Sequence, residues 1–319
     1  MVLYHASQLI KGDQGWGREV FGGIFGFGYS GVHFFFVLSG FIIFFIHAND
    51  QGGGRLINYA KKRFIRIYPI YWVITLLTFA LYVATQSAKS HLMLNSIFLV
   101  GANTDAILAV AWTLFHEILF YALFAVLIIN RTAGAMLLAL WWSMCAVFLF
   151  FEPPHYSLAP INILFGMGMS AYFISNRWGS PALILVGALA FILVGLEDVW
   201  IKLLSTNVRS MMYGLAASIF VVGAVAAHRE KRNTAGLKPL VVLGDTSYSL
   251  YLIHYPVLAV AAKVLRVVDA RMPLPLWSIY IILVAAGVTA GIVTHYLIEK
   301  RLLKRISPDM LSFRRRIGV

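Results

Sequence analysis

Residues 31–47 read GVHFFFVLSGFIIFFIH, an apolar run in which His33 and His47 are the only ionisable side chains. A helix that crosses a membrane needs about 17–25 mainly apolar residues, because the hydrocarbon core is about 30 Å thick. At 1.5 Å per residue this run would extend about 25 Å as a helix. It therefore predicts a helix inside a bilayer.

Eight further runs of this kind occur along the chain, at 64–86, 108–130, 134–151, 157–175, 181–198, 209–228, 243–266 and 274–298. Residues 1–10 are also apolar but would reach only about 15 Å, so we expect them to be the end of a first spanning helix. The patch at 92–100 is too short to cross. The sequence predicts an all-α, polytopic integral membrane helix bundle with about ten transmembrane helices, the first truncated, in a single domain over residues 1–319.

The composition supports a membrane protein and excludes two other classes. The 319 residues are 60% hydrophobic and 12% charged, with a mean hydropathy of +0.80, whereas a soluble domain carries about 25% charged residues. A soluble globule could not cover this much apolar surface with so few charges. The aromatic content of 14% is the opposite of a disordered composition.

The positive charges are distributed unequally between the two sides of the predicted bundle. Lys and Arg number 26 against 13 for Asp and Glu, and alternate connections place 18 of the 26 on one side and 8 on the other. Basic residues face the cytoplasm and its anionic lipid in membrane proteins. We therefore expect a cytoplasmic C-terminus and a lipid bilayer as partner, and not nucleic acid.

Ionisable side chains inside spans cost at least about 2.5–3.5 kcal/mol each on insertion scales, so they are candidates for function. Four positions stand out, His5, Glu117, His254 and His295, with His33 and His116 as weaker additions. Glu117 follows Thr113 by four residues and precedes Tyr121 by four, which places three polar groups on one helix face. The alternative is that these groups only form hydrogen bonds between helices.

His254 lies in an aromatic segment with tyrosines at 248, 251 and 255 and with Pro256. Asp245 or Thr246 can cap the start of this helix, which would place His254 well inside the span. The alternative is a buried histidine held by a tyrosine. We expect His295 near the membrane interface. No histidine or carboxylate pair has metal-ligand spacing, so the sequence predicts no metal site.

A basic and aromatic run occupies residues 59–72, at the mouth of the predicted third span. Arg63 and Arg66 are spaced i, i+3 and share a helix face, with Tyr68 close by in sequence. The planar guanidinium group binds two phosphate oxygens at once, which favours a polyanionic cytosolic ligand. The alternative is ordinary anchoring at the membrane surface.

Four segments in order resemble the signature motifs of the membrane acyltransferase-3 family: 31–43, 63–72, 112–121 and 247–256. The resemblance covers essentially the whole chain and is closest to bacterial exopolysaccharide O-acetyltransferases. It implies about ten spans in a bacterial inner membrane, cytosolic acetyl-CoA as donor substrate without a permanently bound cofactor, and a carbohydrate acceptor. Proteins of polysaccharide biosynthesis are implied as partners.

The resemblance also assigns residues. His5 matches the catalytic first-span histidine, Arg63 and Arg66 match basic positions used towards acyl-CoA, and Glu117 and His254 match the motif glutamate and the late-span histidine. We place Tyr68 with the two arginines. Three departures stand out: the family arginine eleven residues before the first-span histidine would precede Met1, His33 replaces a common aspartate, and Arg301 replaces a common proline. We expect an in-frame extension of about 10–20 mostly apolar residues upstream.

The implied chemistry is acyl transfer to a sugar hydroxyl. Histidine, with a reference pKa of about 6.5, can accept the hydroxyl proton, so His5 would be the general base and Glu117 would orient it. A transient acetyl-histidine is the alternative. An oxyanion donor is also needed, and Ser39, Tyr251 and His254 are candidates. A transporter with His and Glu as proton relays is the other function considered, although no inverted repeat is evident.

Overall fold

The computed structural model describes residues 1–13, 15–84, 93–99, 106–230 and 238–306, and every regular element in these ranges is helical. The α-helices are α1 (Val2–Lys11), α2 (Gly31–His47), α3 (Gly53–Ala84), α4 (Met93–Phe98), α5 (Trp112–Ile129), α6 (Arg131–Val147), α7 (Ile163–Trp178), α8 (Leu183–Leu196), α9 (Thr206–Arg229), α10 (Lys238–Asp269), α11 (Leu276–Thr294) and α12 (Lys300–Ile306). π-helical turns extend α8 through Glu197–Ile201 and α11 through His295–Glu299. The all-α prediction is confirmed.

Seven helical segments in the described ranges are long and apolar enough to cross a membrane. They are Phe21–His47, Gly53–Ala84, Ala109–Ile129, Leu183–Ile201, Thr206–Arg229, Val241–Asp269 and Leu276–Ile306. Only 17% of the most apolar window in Leu183–Ile201 is buried inside the protein, which leaves most of that helix available to lipid. The chain is a multi-pass membrane protein.

Two predicted spans form shorter helices than expected. The runs at 134–151 and 157–175 become α6 and α7, with 17 and 16 residues. Pro153, Pro154 and Pro160 lie between them, and proline lacks the backbone N–H that a continuing helix needs. Two short 3₁₀ turns, Tyr156–Leu158 and Pro160–Asn162, therefore fill part of the connection.

The start of α10 differs from the sequence prediction. Asp245 and Thr246 do not cap the helix, because α10 begins seven residues earlier at Lys238. The Thr246 hydroxyl donates instead to the carbonyl oxygen of Val242 at 2.9 Å, a bond that satisfies it within a helix. His254 therefore lies near the middle of a continuous helix that also passes through Pro256.

The described chain divides into two compact units, and the prediction of one domain over residues 1–319 stays a prediction. The first unit holds Gly26–Ile57 and the chain from His116 to the end of α9. In it, α2, α7 and α9 pack on one another and α8 packs on α9. Gly40 and Gly168 allow the close approach of α2 and α7, because a Cβ at either position would overlap a backbone carbonyl of the other helix, Phe165 or Val37.

The second unit holds Val2–Phe25, the described part of Asn58–Phe115, and α10 to α12. Here α1 packs on both α10 and α11. Its apolar face buries Val2, Ala6 and Ile10 in a core that also contains Leu258, Ile279 and Leu283. This packing fixes the position of His5, which lies on the same short helix.

Candidate active site

Two predicted catalytic histidines meet in the second unit, although 249 positions separate them in sequence. The imidazole rings of His5 on α1 and His254 on α10 are 5.1 Å apart between centroids, in an edge-to-face arrangement at 72°. The ring of Tyr255 also faces His5, at 5.2 Å. His254 is fully buried, whereas His5 is half-buried. The pair therefore has one enclosed and one partly accessible ring.

A backbone hydrogen bond fixes the tautomer of His254. Its Nδ1 lies 2.9 Å from the carbonyl oxygen of Leu250, and a carbonyl oxygen only accepts, so Nδ1 carries the proton. In the neutral ring Nε2 then has the lone pair. This atom is buried and has no hydrogen-bond partner among the described residues. His254 thus keeps an acceptor that no described residue uses, on a ring that packs against His5.

Tyr251, one turn before Tyr255 on α10, is also held in place. Its hydroxyl contacts the carbonyl oxygen of Val110 and, at 2.7 Å, the Thr113 hydroxyl. The Thr113 hydroxyl also lies 3.4 Å from the carbonyl oxygen of Val110, so the Tyr251 proton goes either to that carbonyl or to Thr113. The hydroxyl proton of Tyr251 is therefore engaged, and its role as an oxyanion donor stays a prediction.

Arg66, a predicted donor-site residue, forms an ion pair in the same unit. Its Nη1 lies 3.1 Å from Oε1 of Glu299, and its guanidinium group lies over the ring of Tyr248 at 5.4 Å. The other carboxylate oxygen of Glu299 accepts from the Ser249 hydroxyl at 2.7 Å and from Nδ1 of His295 at 2.8 Å. Glu299 is buried, so these three donors replace the water that a carboxylate would otherwise need.

The other two predicted donor-site residues lie on α3 with Arg66. Arg63 is one turn earlier and half-buried, with a buried Nε. Tyr68 lies on a different face, since residues spaced i, i+2 do not face the same way on a helix. Its ring stacks on Phe64 at 4.8 Å and its hydroxyl donates to the carbonyl oxygen of Phe98 at 3.4 Å. The structure thus brings Arg66 and Tyr68 to different neighbours.

Glu117, the third predicted catalytic residue, belongs to the first unit. It is buried on α5 and accepts a hydrogen bond from the Tyr121 hydroxyl one turn later. This bond confirms that the two polar side chains share a helix face. The proposed orientation of His5 by Glu117 stays a prediction.

The weaker histidine candidates of the first unit are engaged in hydrogen bonds between helices and connecting turns. Nε2 of His33 is 2.9 Å from the Ser210 hydroxyl, and Nδ1 of His116 is 2.8 Å from Oδ1 of Asn162. Each contact engages one ring nitrogen, and a functional role for either residue stays a prediction. Within the described ranges, no group of three or more His, Cys, Asp or Glu side chains could hold a metal ion.

Sequence reasoning missed Glu299 and Ser249. His295 is buried beside Glu299, and its expected place near the membrane interface stays a prediction. Glu299 precedes Lys300 and Arg301, so it resembles one member of a solvated charged end. The available signal was the i, i+4 spacing of His295 and Glu299, which allows direct contact on a helix.

Comparisons with known proteins identify the family. The acyltransferase-3 family model, described as an acyltransferase domain, matches residues 1–296. The exopolysaccharide production protein ExoZ of Rhizobium meliloti (strain 1021) is 28% identical over 341 residues, covering 95% of each chain. No solved structure matches the chain significantly. This chain therefore belongs to the acyltransferase-3 family and is a multi-pass membrane acyltransferase.

Proposed function

We propose that this protein transfers an acetyl group from acetyl-CoA to a sugar hydroxyl of an exopolysaccharide or another envelope glycan. The single observation that carries the proposal is the His5–His254 pair, in a chain of an acyltransferase family. The printed name of the Rhizobium relative, an exopolysaccharide production protein, supports a polysaccharide acceptor. In this proposal acetyl-CoA is a substrate, and no cofactor stays bound.

The proposed reaction begins with His5 as general base. The acceptor oxygen attacks the thioester carbonyl carbon while a nitrogen of His5 takes the hydroxyl proton. A C–O bond forms, the C–S bond breaks, and the proton passes from His5 to the leaving thiolate, which releases CoA as the free thiol. Transfer through an acetyl-histidine would use the same residue as nucleophile.

His254 would act through His5. We propose that its Nε2 accepts the N–H of His5 as substrates bind, which leaves the second nitrogen of His5 as the base. Hydrogen bonds of catalytic groups are often long before substrate binds, and the edge-to-face rings are close enough for this adjustment.

The proposed setting is a bacterial inner membrane with the C-terminus in the cytoplasm. The 18-to-8 distribution of basic residues supports this orientation. Arg63, Arg66 and Tyr68 would then face the cytosolic donor. Proteins of polysaccharide biosynthesis would supply or remove the glycan.

The test uses the purified full-length protein with radiolabelled acetyl-CoA and isolated glycan. We expect His5→Ala to abolish acetyl transfer while the amount of folded protein stays unchanged. His155→Ala is the matched control, because His155 is an exposed histidine of the first unit and should have no effect. Full activity of His5→Ala would contradict the role of His5.

The same assay separates the proposal from the transporter alternative. Protein in detergent micelles has no gradient and no second compartment, so a permease cannot act there. Acetyl transfer under these conditions would exclude a pure permease. A wild-type protein that binds no acetyl-CoA and acetylates no glycan would contradict the proposed function itself.

A further inference from the structure

We propose that Glu299 is a positioning residue that holds Arg66 for the phosphate groups of the acyl donor. This inference rests on the proposed function, because it takes acyl-CoA as the ligand of Arg66. It assigns a role to a buried carboxylate that the transfer chemistry does not use.

The carboxylate of Glu299 is oriented by an unequal use of its two oxygens. Oε2 accepts from both Ser249 and His295, at 2.7 and 2.8 Å, and Oε1 is left for Nη1 of Arg66 at 3.1 Å. Two donors on one oxygen, from two different helical segments, restrict rotation of the carboxylate plane. The direction of Oε1 is therefore set before any ligand arrives.

The guanidinium group of Arg66 is held on two sides. Glu299 fixes one edge, and the ring of Tyr248 covers one face at 5.4 Å. Tyr248 is itself anchored, since its hydroxyl donates to the carbonyl oxygen of Ile67 at 2.9 Å. The side chain of Arg66 remains 29% exposed, so it is not closed off from a ligand.

An oriented guanidinium suits phosphate better than a mobile one. Arginine has five N–H donors in a fixed planar arrangement that matches two phosphate oxygens. Ordering a long side chain costs conformational entropy when a ligand binds, and Glu299 removes part of that cost in advance. The Glu299 carboxylate repels the phosphate groups of the donor, but in the proposed complex Arg66 lies between the carboxylate and the phosphates. Lys61, Lys62 and Arg63 on the same helix add further positive charge.

The test compares two donors with the same thioester. Acetyl-CoA carries phosphate groups, and S-acetylpantetheine carries none. We expect Glu299→Gln and Glu299→Asp to raise the KM for acetyl-CoA about tenfold, the effect of losing one hydrogen bond to a charged group. The kcat with acetyl-CoA and the KM for S-acetylpantetheine should stay within about twofold of wild type. In an Arg66→Met background, Glu299→Gln should add no further increase.

Glu197→Gln is the matched control. Glu197 also accepts from an arginine, Nε of Arg209 at 2.9 Å, and from a second donor, the backbone N–H of Leu204 at 2.8 Å, but it lies in the first unit. The Glu197→Gln variant should leave the KM values for acetyl-CoA and for S-acetylpantetheine unchanged. Ser249→Ala removes one hydrogen-bond donor to Oε2 of Glu299 and keeps the carboxylate charge. If the Glu299→Gln protein does not accumulate, the KM values of Ser249→Ala for the two donors test the inference instead.

The possible results separate this inference from the proposed function. An equal increase in KM for both donors, or a lower kcat for both, would show a structural role for Glu299 and overturn the inference alone. A stable wild-type protein that uses neither donor would overturn the proposed function and this inference with it. A selective loss of acetyl-CoA affinity supports both.

Discussion

The bond from Nδ1 of His254 to the carbonyl oxygen of Leu250 determines what each nitrogen of this residue can do. Asparagine at this position can keep a donor near Leu250 but has no atom where Nε2 lies. Glutamine can place an amide oxygen near Nε2. The two substitutions therefore separate the structural hydrogen bond from the lone pair beside His5.

We expect His254→Asn to lower kcat by about 10²-fold, within the range for loss of acid–base assistance. His254→Gln should recover part of that loss, because its amide oxygen can accept the N–H of His5. Acetyl transfer by the purified variants, normalised to folded protein, is the measurement. Equal kcat for the wild type and both variants would exclude His254 from the reaction.

At the level of single residues, the sequence identified His5 and His254 as ionisable side chains in apolar runs. It did not show that they meet, because contact between α1 and α10 depends on packing over a long sequence separation. Glu299 was missed for a different reason. Its burial depends on Ser249 and Arg66, which come from α10 and α3, and no local pattern reports such contacts.

At the level of helices, the packing of α2 on α7 depends on two residues without a Cβ. Small residues let helix backbones approach closely in membranes, and Gly168 lies against the carbonyl oxygen of Val37. We expect Gly168→Ala to destabilise the protein by about 1–3 kcal/mol, as overpacking does. The melting temperature in a fixed detergent should fall accordingly.

Gly54→Ala is the control for the glycine prediction. Gly54 is also helical, at the start of α3, but a Cβ there meets nothing within 4 Å. Alanine is the better helix former by about 1 kcal/mol, so the melting temperature should be unchanged or slightly higher. A similar decrease for both variants would argue against close helix contact as the cause.

Helix boundaries show where sequence patterns were sufficient. The apolar runs located each long helix, because lipid exposure selects apolar residues over the whole length of a span. The predicted start of α10 was wrong. Thr246 is a residue type that often caps helices, but here its hydroxyl bonds to a carbonyl oxygen within its own helix. The predicted start of α7 was wrong, because apolar residues around Pro160 read as part of a span, whereas α6 is one residue shorter than its predicted run.

At the level of the whole molecule, the charge distribution predicts which ends of the helices face the cytoplasm. Ser205 and Glu230 are both exposed and flank the two ends of α9, a helix of 24 residues. Cys145 is the single cysteine and is buried. A Cys145→Ser background therefore allows one thiol to be added at either end.

We expect a membrane-impermeant maleimide to label Ser205→Cys in intact spheroplasts. Glu230→Cys should react only after the membrane is opened, because its end of α9 lies on the side rich in Lys and Arg. Labelling of both variants in denaturant controls for expression. The reverse pattern would contradict a cytoplasmic C-terminus.

The short lengths of α6 and α7 have a consequence for the surrounding lipid. With 17 and 16 residues, they reach about 25 and 24 Å, at the short end of the range that spans a hydrocarbon core of about 30 Å. A thicker bilayer must thin beside such helices, at a cost of fractions of a kcal/mol per ångström. We therefore expect a higher melting temperature in vesicles of shorter-chain phospholipids than in vesicles of longer-chain ones.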